Sequence, residues 1–201
     1  MKTINALSGW CSHAAIRSRL LAMTAMSVIT VAAPVFANDP AEAYFETLRQ
    51  LCGARFEGEM TFPAEGQDAF AGKLLVAEFK SCTPDEVRIP FAVGEDTSRT
   101  WIISRTADGL HLQHDHRHPD GTEDDVNMYG GLSDTGGSAS SQSFKADAHT
   151  RQLIPEAATN VWTISLTDNG DGLVYALQRH EKPRFEAQLK RVATADPDPR
   201  H

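Results

Sequence analysis

The sequence predicts a mainly β protein: a single antiparallel β-barrel of the lipocalin-like, up-and-down kind, with one N-terminal helix. Short segments rich in β-branched and aromatic residues recur from Arg55 to Val192. Turn-forming sequences such as Pro119-Asp120-Gly121 separate them. The short connections favour pairing of successive strands, and so many strands have to close on themselves or stack. A two-sheet β-sandwich is the alternative architecture.

The predicted helix precedes the strands. Asp39 stands in an N-cap position, Pro40 fits the first turn, and Gly53 stands where a left-handed residue ends a helix. Between them, Tyr44 and Leu48 belong to one apolar stripe. We expect this helix to cover one end or one flank of the barrel.

Eight strands are predicted after the helix, at residues 55–62, 72–80, 87–93, 100–106, 110–118, 161–166, 173–178 and 185–192. Residues 130–143 interrupt the pattern, because they contain four glycines and five serines and almost no apolar residue. Such a segment has little to bury. We expect it to be a disordered loop, or alternatively a mobile flap beside the strand at 110–118.

Residues 1–37 are predicted to be a secretory signal peptide. Lys2, Arg17 and Arg19 precede an uncharged apolar run, which ends in the cleavage-site-like sequence Val35-Phe36-Ala37. A membrane anchor is the alternative interpretation. We therefore expect a periplasmic or secreted protein.

The remaining chain is expected to form one β-barrel domain, residues 38–192, followed by a disordered tail, residues 193–201. Loss of the signal peptide would remove three of the 19 basic residues and none of the 27 acidic ones, which leaves a net charge of −11. Such a surface repels phosphate backbones and anionic lipid. Nucleic acid and membrane partners are therefore disfavoured, and the expected partner is a small molecule or a metal ion.

Two cysteines, Cys52 and Cys82, remain after removal of the signal peptide. In an oxidising compartment they are expected to form a disulfide, which closes a loop of about 30 residues and contributes on the order of 3–4 kcal/mol. Two free thiols are the alternative.

The candidate site lies in residues 110–118. In a strand, His114, His116 and His118 share one face with two leucines, so the three imidazoles are expected to face the barrel interior. Polar groups without partners are costly to bury. Three histidines in this register therefore indicate a binding site.

Spacing limits which histidines act together. Residues i and i+2 of a strand lie about 6.6–6.8 Å apart, so one ion can bind His116 and His118 but hardly all three. The turn that follows returns Glu123 alongside them, and this set suits Zn²⁺, Fe²⁺ or Mn²⁺. We expect a divalent transition metal as the cofactor of this version of the site.

Two resemblances bear on this site. The pattern His116-x-His118-x4-Glu123-x6-Gly130 resembles the first metal-binding motif of the cupins, in which two histidines and a glutamate on a hairpin bind a divalent metal; the second cupin motif has no counterpart around His149. The wider string from His114 to Gly121, followed by Tyr129-Gly130-Gly131, resembles a family of secreted bacterial proteins with no assigned activity. That resemblance implies an exported, single lipocalin-like or sandwich domain, and it carries no catalytic residues.

The expected function is binding of a small ligand by an interior histidine cluster. The more specific hypothesis is a divalent transition metal bound by His116, His118 and Glu123. His114 and Tyr129 are the expected ligand-binding residues. The alternatives are a lipocalin-like carrier of a small hydrophobic molecule without metal, and a non-enzymatic interaction module. No catalytic residue is assigned, since no Gly-x-Ser-x-Gly nucleophile elbow and no glycine-rich phosphate loop occurs.

Overall fold

The computed structural model describes residues 39–62 and 69–193. The predicted signal peptide, residues 1–37, lies outside the described residues, as does all but the first residue of the predicted tail.

The described part of the chain contains eleven strands. They are β1 (Arg55–Phe62), β2 (Leu75–Glu78), β3 (Ser81–Cys82), β4 (Glu86–Val93), β5 (Asp96–Thr106), β6 (Gly109–His116), β7 (Tyr129–Ser138), β8 (Ser141–Ala146), β9 (Val161–Thr167), β10 (Gly172–Arg179) and β11 (Lys182–Val192). Helix α1 spans Pro40–Gln50 and helix α2 spans Ala148–Leu153.

The strands of the described residues form one closed antiparallel barrel. From β4 to β11 each strand pairs with the next, β11 pairs with β1, and β1 pairs with β2. Pairing of β2 with β4 closes a ring of ten strands, and β3 is an extra strand on β4. The predicted lipocalin-like barrel is confirmed, and the alternative sandwich is wrong.

Alternating side chains fill the barrel. On β4, Val87, Ile89, Phe91 and Val93 are buried while the residues between them are less so. The Phe91 ring stacks on Trp101, with 4.3 Å between ring centroids. The period of two in the sequence therefore marks the interior face, because side chains of a strand point alternately to its two sides.

The ends of α1 follow the predicted signals. The Asp39 side chain accepts a hydrogen bond from the backbone N–H of Ala41 at 2.9 Å, which satisfies one of the free donors of the first turn. Gly53 has a φ of +85°, a conformation that costs glycine little. No helix of the described residues is long and apolar enough to cross a membrane.

Helix α1 covers the end of the barrel where β5 ends and β6 begins. The buried Tyr44 hydroxyl donates to the carbonyl of Ile164 at 3.1 Å. Arg105, near the end of β5, forms ion pairs with Glu42 and Glu46 of the helix. The apolar stripe of the helix thus packs into the barrel, while its charged side forms ion pairs with the end of β5.

The disulfide between Cys52 and Cys82 is present, with a Cα–Cα distance of 6.0 Å. It joins the chain just after α1 to the short strand β3. The predicted pairing is confirmed, and the link fixes the helix end to the barrel wall.

The expectation of a structureless segment at residues 130–143 is wrong, because these residues form most of the hairpin β7–β8. The glycines have a packing role. A Cβ at Gly130 would collide with the carbonyl oxygen of Leu112, and one at Gly131 with the carbonyl oxygen of Lys145. Glycine is used here because the neighbouring backbones approach too closely for a side chain.

Candidate functional site

A cavity of about 310 Å³ lies at the barrel end away from α1. The ends of β6 and β10 and the beginnings of β7, β9 and β11 surround it. Five aromatic side chains line it: Phe70, Tyr129, Trp162, Tyr175 and Phe185. Its polar lining residues are His116, Asp124, Asn160 and Arg179.

Strand alternation brings these side chains to the cavity. On β10, Leu173 and Tyr175 point inward and are buried, and Leu177 and Arg179 continue the same face toward the open end. On β6, His114 and His116 continue the face that begins with the buried leucines. Polar residues thus occupy the last inward position of each strand, where the apolar core meets the cavity.

His114 lies below the cavity and is only 4 % exposed. Its Nδ1 is 3.1 Å from the carbonyl oxygen of Tyr129, which can only accept, so Nδ1 carries the proton. Its Nε2 accepts from the Tyr175 hydroxyl at 2.8 Å. Burial lowers the pKa of His114 to about 3, so the ring is neutral at neutral pH. Both ring nitrogens are used inside the protein, and contact of His114 with a ligand stays a prediction.

His116 and Tyr129 form a hydrogen-bonded pair in the cavity wall, with 3.0 Å between Nε2 and the hydroxyl. Burial, and after it the nearby Arg99 guanidinium, lowers the pKa of His116. Burial raises the pKa of Tyr129 to about 12. Both groups are therefore uncharged at neutral pH, and the pair offers hydrogen bonding without net charge.

Arg179 is held at the cavity rim by Asn160. Its Nε donates to Oδ1 of Asn160 at 2.8 Å. Asn160 is buried and fixed by its backbone, which donates to the Ala157 carbonyl at 2.9 Å and accepts from the Ala146 N–H at 3.0 Å. The guanidinium is thus oriented by a rigid partner.

The predicted metal ligands are not brought together. Strand β6 ends at His116, two residues short of the prediction, and His118 is an exposed turn residue whose N–H donates to the Thr122 carbonyl at 2.9 Å. The Glu123 side chain is 66 % exposed and is paired with Arg117 at 3.2 Å. Within residues 39–62 and 69–193, no three His, Cys, Asp or Glu side chains form a group that could hold a metal ion.

The physical reason is the position of the turn. The prediction assumed that the strand continues up to Pro119. The Arg117 N–H still donates to the Ser98 carbonyl of β5 at 2.9 Å, but the backbone of the next residue, His118, bonds only within the turn among the described residues. His118 therefore does not share the inward face of His114 and His116, which corrects that prediction.

Two polar residues of the site, Asn160 and Arg179, were not predicted from the sequence. The prediction for β10 ended one residue before Arg179, although Arg179 lies two positions after Leu177 and continues its inward face. The alternation of inward-facing residues along β10 could therefore have indicated Arg179 from the sequence. Asn160 precedes β9, and only the barrel closure brings it to Arg179.

Comparison with protein-family models, with curated proteins and with solved structures finds no match to this chain. The interpretation of the site consequently depends on its own geometry.

Proposed function

We propose that this protein binds a small, mainly apolar molecule in the open end of the barrel. The observation that carries the proposal is the cavity of about 310 Å³ with five aromatic side chains and a few polar groups. Small-molecule sites are typically concave and apolar, with a few polar groups that orient the ligand. The uncharged pair of His116 and Tyr129 supplies such groups.

The donor set favours binding without a metal ion. Of the side chains that suit a transition metal, His116 and Asp124 line the cavity, while His118 and Glu123 belong to the exposed hairpin. Two protein ligands are fewer than the three or four that zinc sites use. The carrier version of the function therefore fits this cavity better than the metal version.

The proposal includes an extracytoplasmic location. The disulfide between Cys52 and Cys82 supports it, because such bonds persist in oxidising compartments. The sequence features of residues 1–37 point the same way.

Binding of the neutral fluorescent probe N-phenyl-1-naphthylamine tests the proposal. We expect saturable binding with enhanced probe fluorescence. Leu177→Trp, which adds an indole to the cavity wall, should weaken the affinity by roughly tenfold or more, which corresponds to at least about 1.4 kcal/mol. Val174→Trp on the same strand is the matched control, because Val174 has the opposite parity and does not line the cavity.

Equal weakening by both substitutions, or binding that never saturates, would refute the cavity as the binding site. The metal version is checked on the same untagged sample by elemental analysis, where about one transition metal ion per chain would favour it over the carrier.

A further inference from the structure

We infer that the ligand of this cavity is a small monocarboxylate, with an aromatic or short aliphatic body inside the barrel and its carboxylate on Arg179. The inference rests on the proposed function and names the chemical class of the ligand.

The guanidinium of Arg179 has a free end. Arg179 uses Nε for the bond to Asn160, and its two terminal nitrogens have no hydrogen-bond partner among the described residues. No carboxylate of the described residues forms an ion pair with it either, although eleven ion pairs between other residues occur in that part of the chain. An oriented cation in a cavity wall is therefore left without its anion.

The surroundings of that cation are aromatic. Arg179 shares the cavity with the rings of Trp162, Tyr175 and Phe185. Aromatic walls exclude water, and electrostatic attraction is stronger there than in bulk solvent. The guanidinium of arginine presents its N–H donors in a planar fork that matches the two oxygens of a carboxylate. A ligand carboxylate is therefore the best partner for the free end of Arg179.

The charges around the cavity favour a ligand with a single negative charge. Asp124 lies in the same cavity, with Oδ1 accepting from the Val126 N–H at 2.9 Å, and the whole chain carries a net charge of −8. Arg99, the other guanidinium near the cavity, is already paired with Asp96 at 2.5 Å. A dianion such as a phosphate monoester would be repelled by Asp124 and by the net charge while finding Arg179 as its one unpaired arginine among the described residues. A carboxylate of charge −1 is neutralised by Arg179 alone.

The volume and the lining of the cavity limit the size and polarity of the ligand. A cavity of about 310 Å³ lies at the small end of the usual range for ligand sites. One or two fused rings, or a short chain, fit this space. The apolar body would contact the aromatic walls, while the carboxylate remains at the rim beside Arg179.

Calorimetric titration with 2-naphthoate and with its neutral counterpart 2-naphthamide tests the inference. Wild-type protein should prefer the carboxylate. In Arg179→Gln the affinity for 2-naphthoate should fall by about tenfold to a hundredfold, the range given by hydrogen bonds to charged groups. The affinity of this variant for 2-naphthamide should change little, which also shows that the cavity is intact.

Arg191→Gln is the matched control, because it removes the same charge near the opposite end of the barrel, where the Arg191 N–H bonds the Asp171 carbonyl. It should leave the affinity for both compounds as in wild type. If Arg179→Gln does not fold, Arg179→Lys replaces it, and this variant should retain part of the preference for the carboxylate.

The outcomes separate the two proposals. If neither compound and no neutral probe binds the wild type, the proposed function fails and the inference with it. If 2-naphthamide binds as tightly as 2-naphthoate, and Arg179→Gln or Arg179→Lys changes neither affinity, the cavity is a ligand site but its ligand is not a carboxylate.

Discussion

At the residue scale, His114 is a buried polar residue whose imidazole is held in one protonation state. Its proton is fixed on Nδ1 by the Tyr129 carbonyl, and its Nε2 accepts from Tyr175. The ring also stacks on Tyr129, with 4.8 Å between centroids and 11° between planes. Burial disfavours the charged imidazolium, so the pKa of His114 is lowered and this ring makes the stability of the fold depend on pH.

This coupling has a definite sign. The folded pKa of His114 is about 3, below the ordinary value of 6.5, so the unfolded chain binds a proton that the folded one does not. The stability of the protein should therefore fall as pH falls from about 6.5 toward 3. From pH 7 to pH 5, His114 alone should reduce the free energy of unfolding by about 2 kcal/mol.

Urea unfolding of wild type and His114→Gln at several pH values checks this prediction. The variant should lose less stability than wild type between pH 7 and pH 5, by about 2 kcal/mol. From pH 7 to pH 8.5 the two proteins should respond alike, because the imidazole is neutral in both folded and unfolded states. Parallel curves over the acidic range would show that His114 is not held neutral by the fold.

At the element scale, α1 and the disulfide belong to the barrel end away from the cavity. The Cys52–Cys82 bond joins the chain after the helix to β3, and the ion pairs of Arg105 hold the helix to β5. These contacts stabilise the barrel without touching the cavity lining. Stability and binding should therefore respond separately to changes at this end.

The double substitution Cys52→Ser and Cys82→Ser tests this separation. The loop closed by the disulfide spans 30 residues, so its loss should lower the free energy of unfolding by about 3–4 kcal/mol. The affinity for N-phenyl-1-naphthylamine should stay as in wild type wherever the protein is folded. A large loss of affinity in the folded variant would place the disulfide and the cavity in one cooperative unit.

The elements also show which parts of this fold can be predicted from sequence. Strands with alternating apolar residues, such as β4 and β10, were predicted nearly to their ends, because burial on one face leaves a period of two. The hairpin β7–β8 was missed, because its glycines serve close backbone contacts that only the assembled sheet reveals. The same holds for the bond between Asn160 and Arg179, which joins residues of different strand ends.

At the scale of the whole molecule, the two ends of the barrel differ. Helix α1 packs over one end, and the aromatic cavity with Arg179, His116 and Tyr129 lies at the other. Strand β6 runs from Leu110 and Leu112 in the core to His116 at the cavity. Because helix α1 covers one end of the barrel, a ligand should enter and leave only through the end that holds the cavity.

If a small carboxylate binds inside this end of the barrel, an NMR titration of the 15N-labelled protein with 2-naphthoate will locate it residue by residue. We expect saturable shifts of the Trp162 indole and of the backbone amides around His116, Arg179 and Phe185, with the amides of α1 unchanged. Shifts that are confined to α1, or spread evenly over the outer surface without saturation, would rule out carboxylate binding in this cavity.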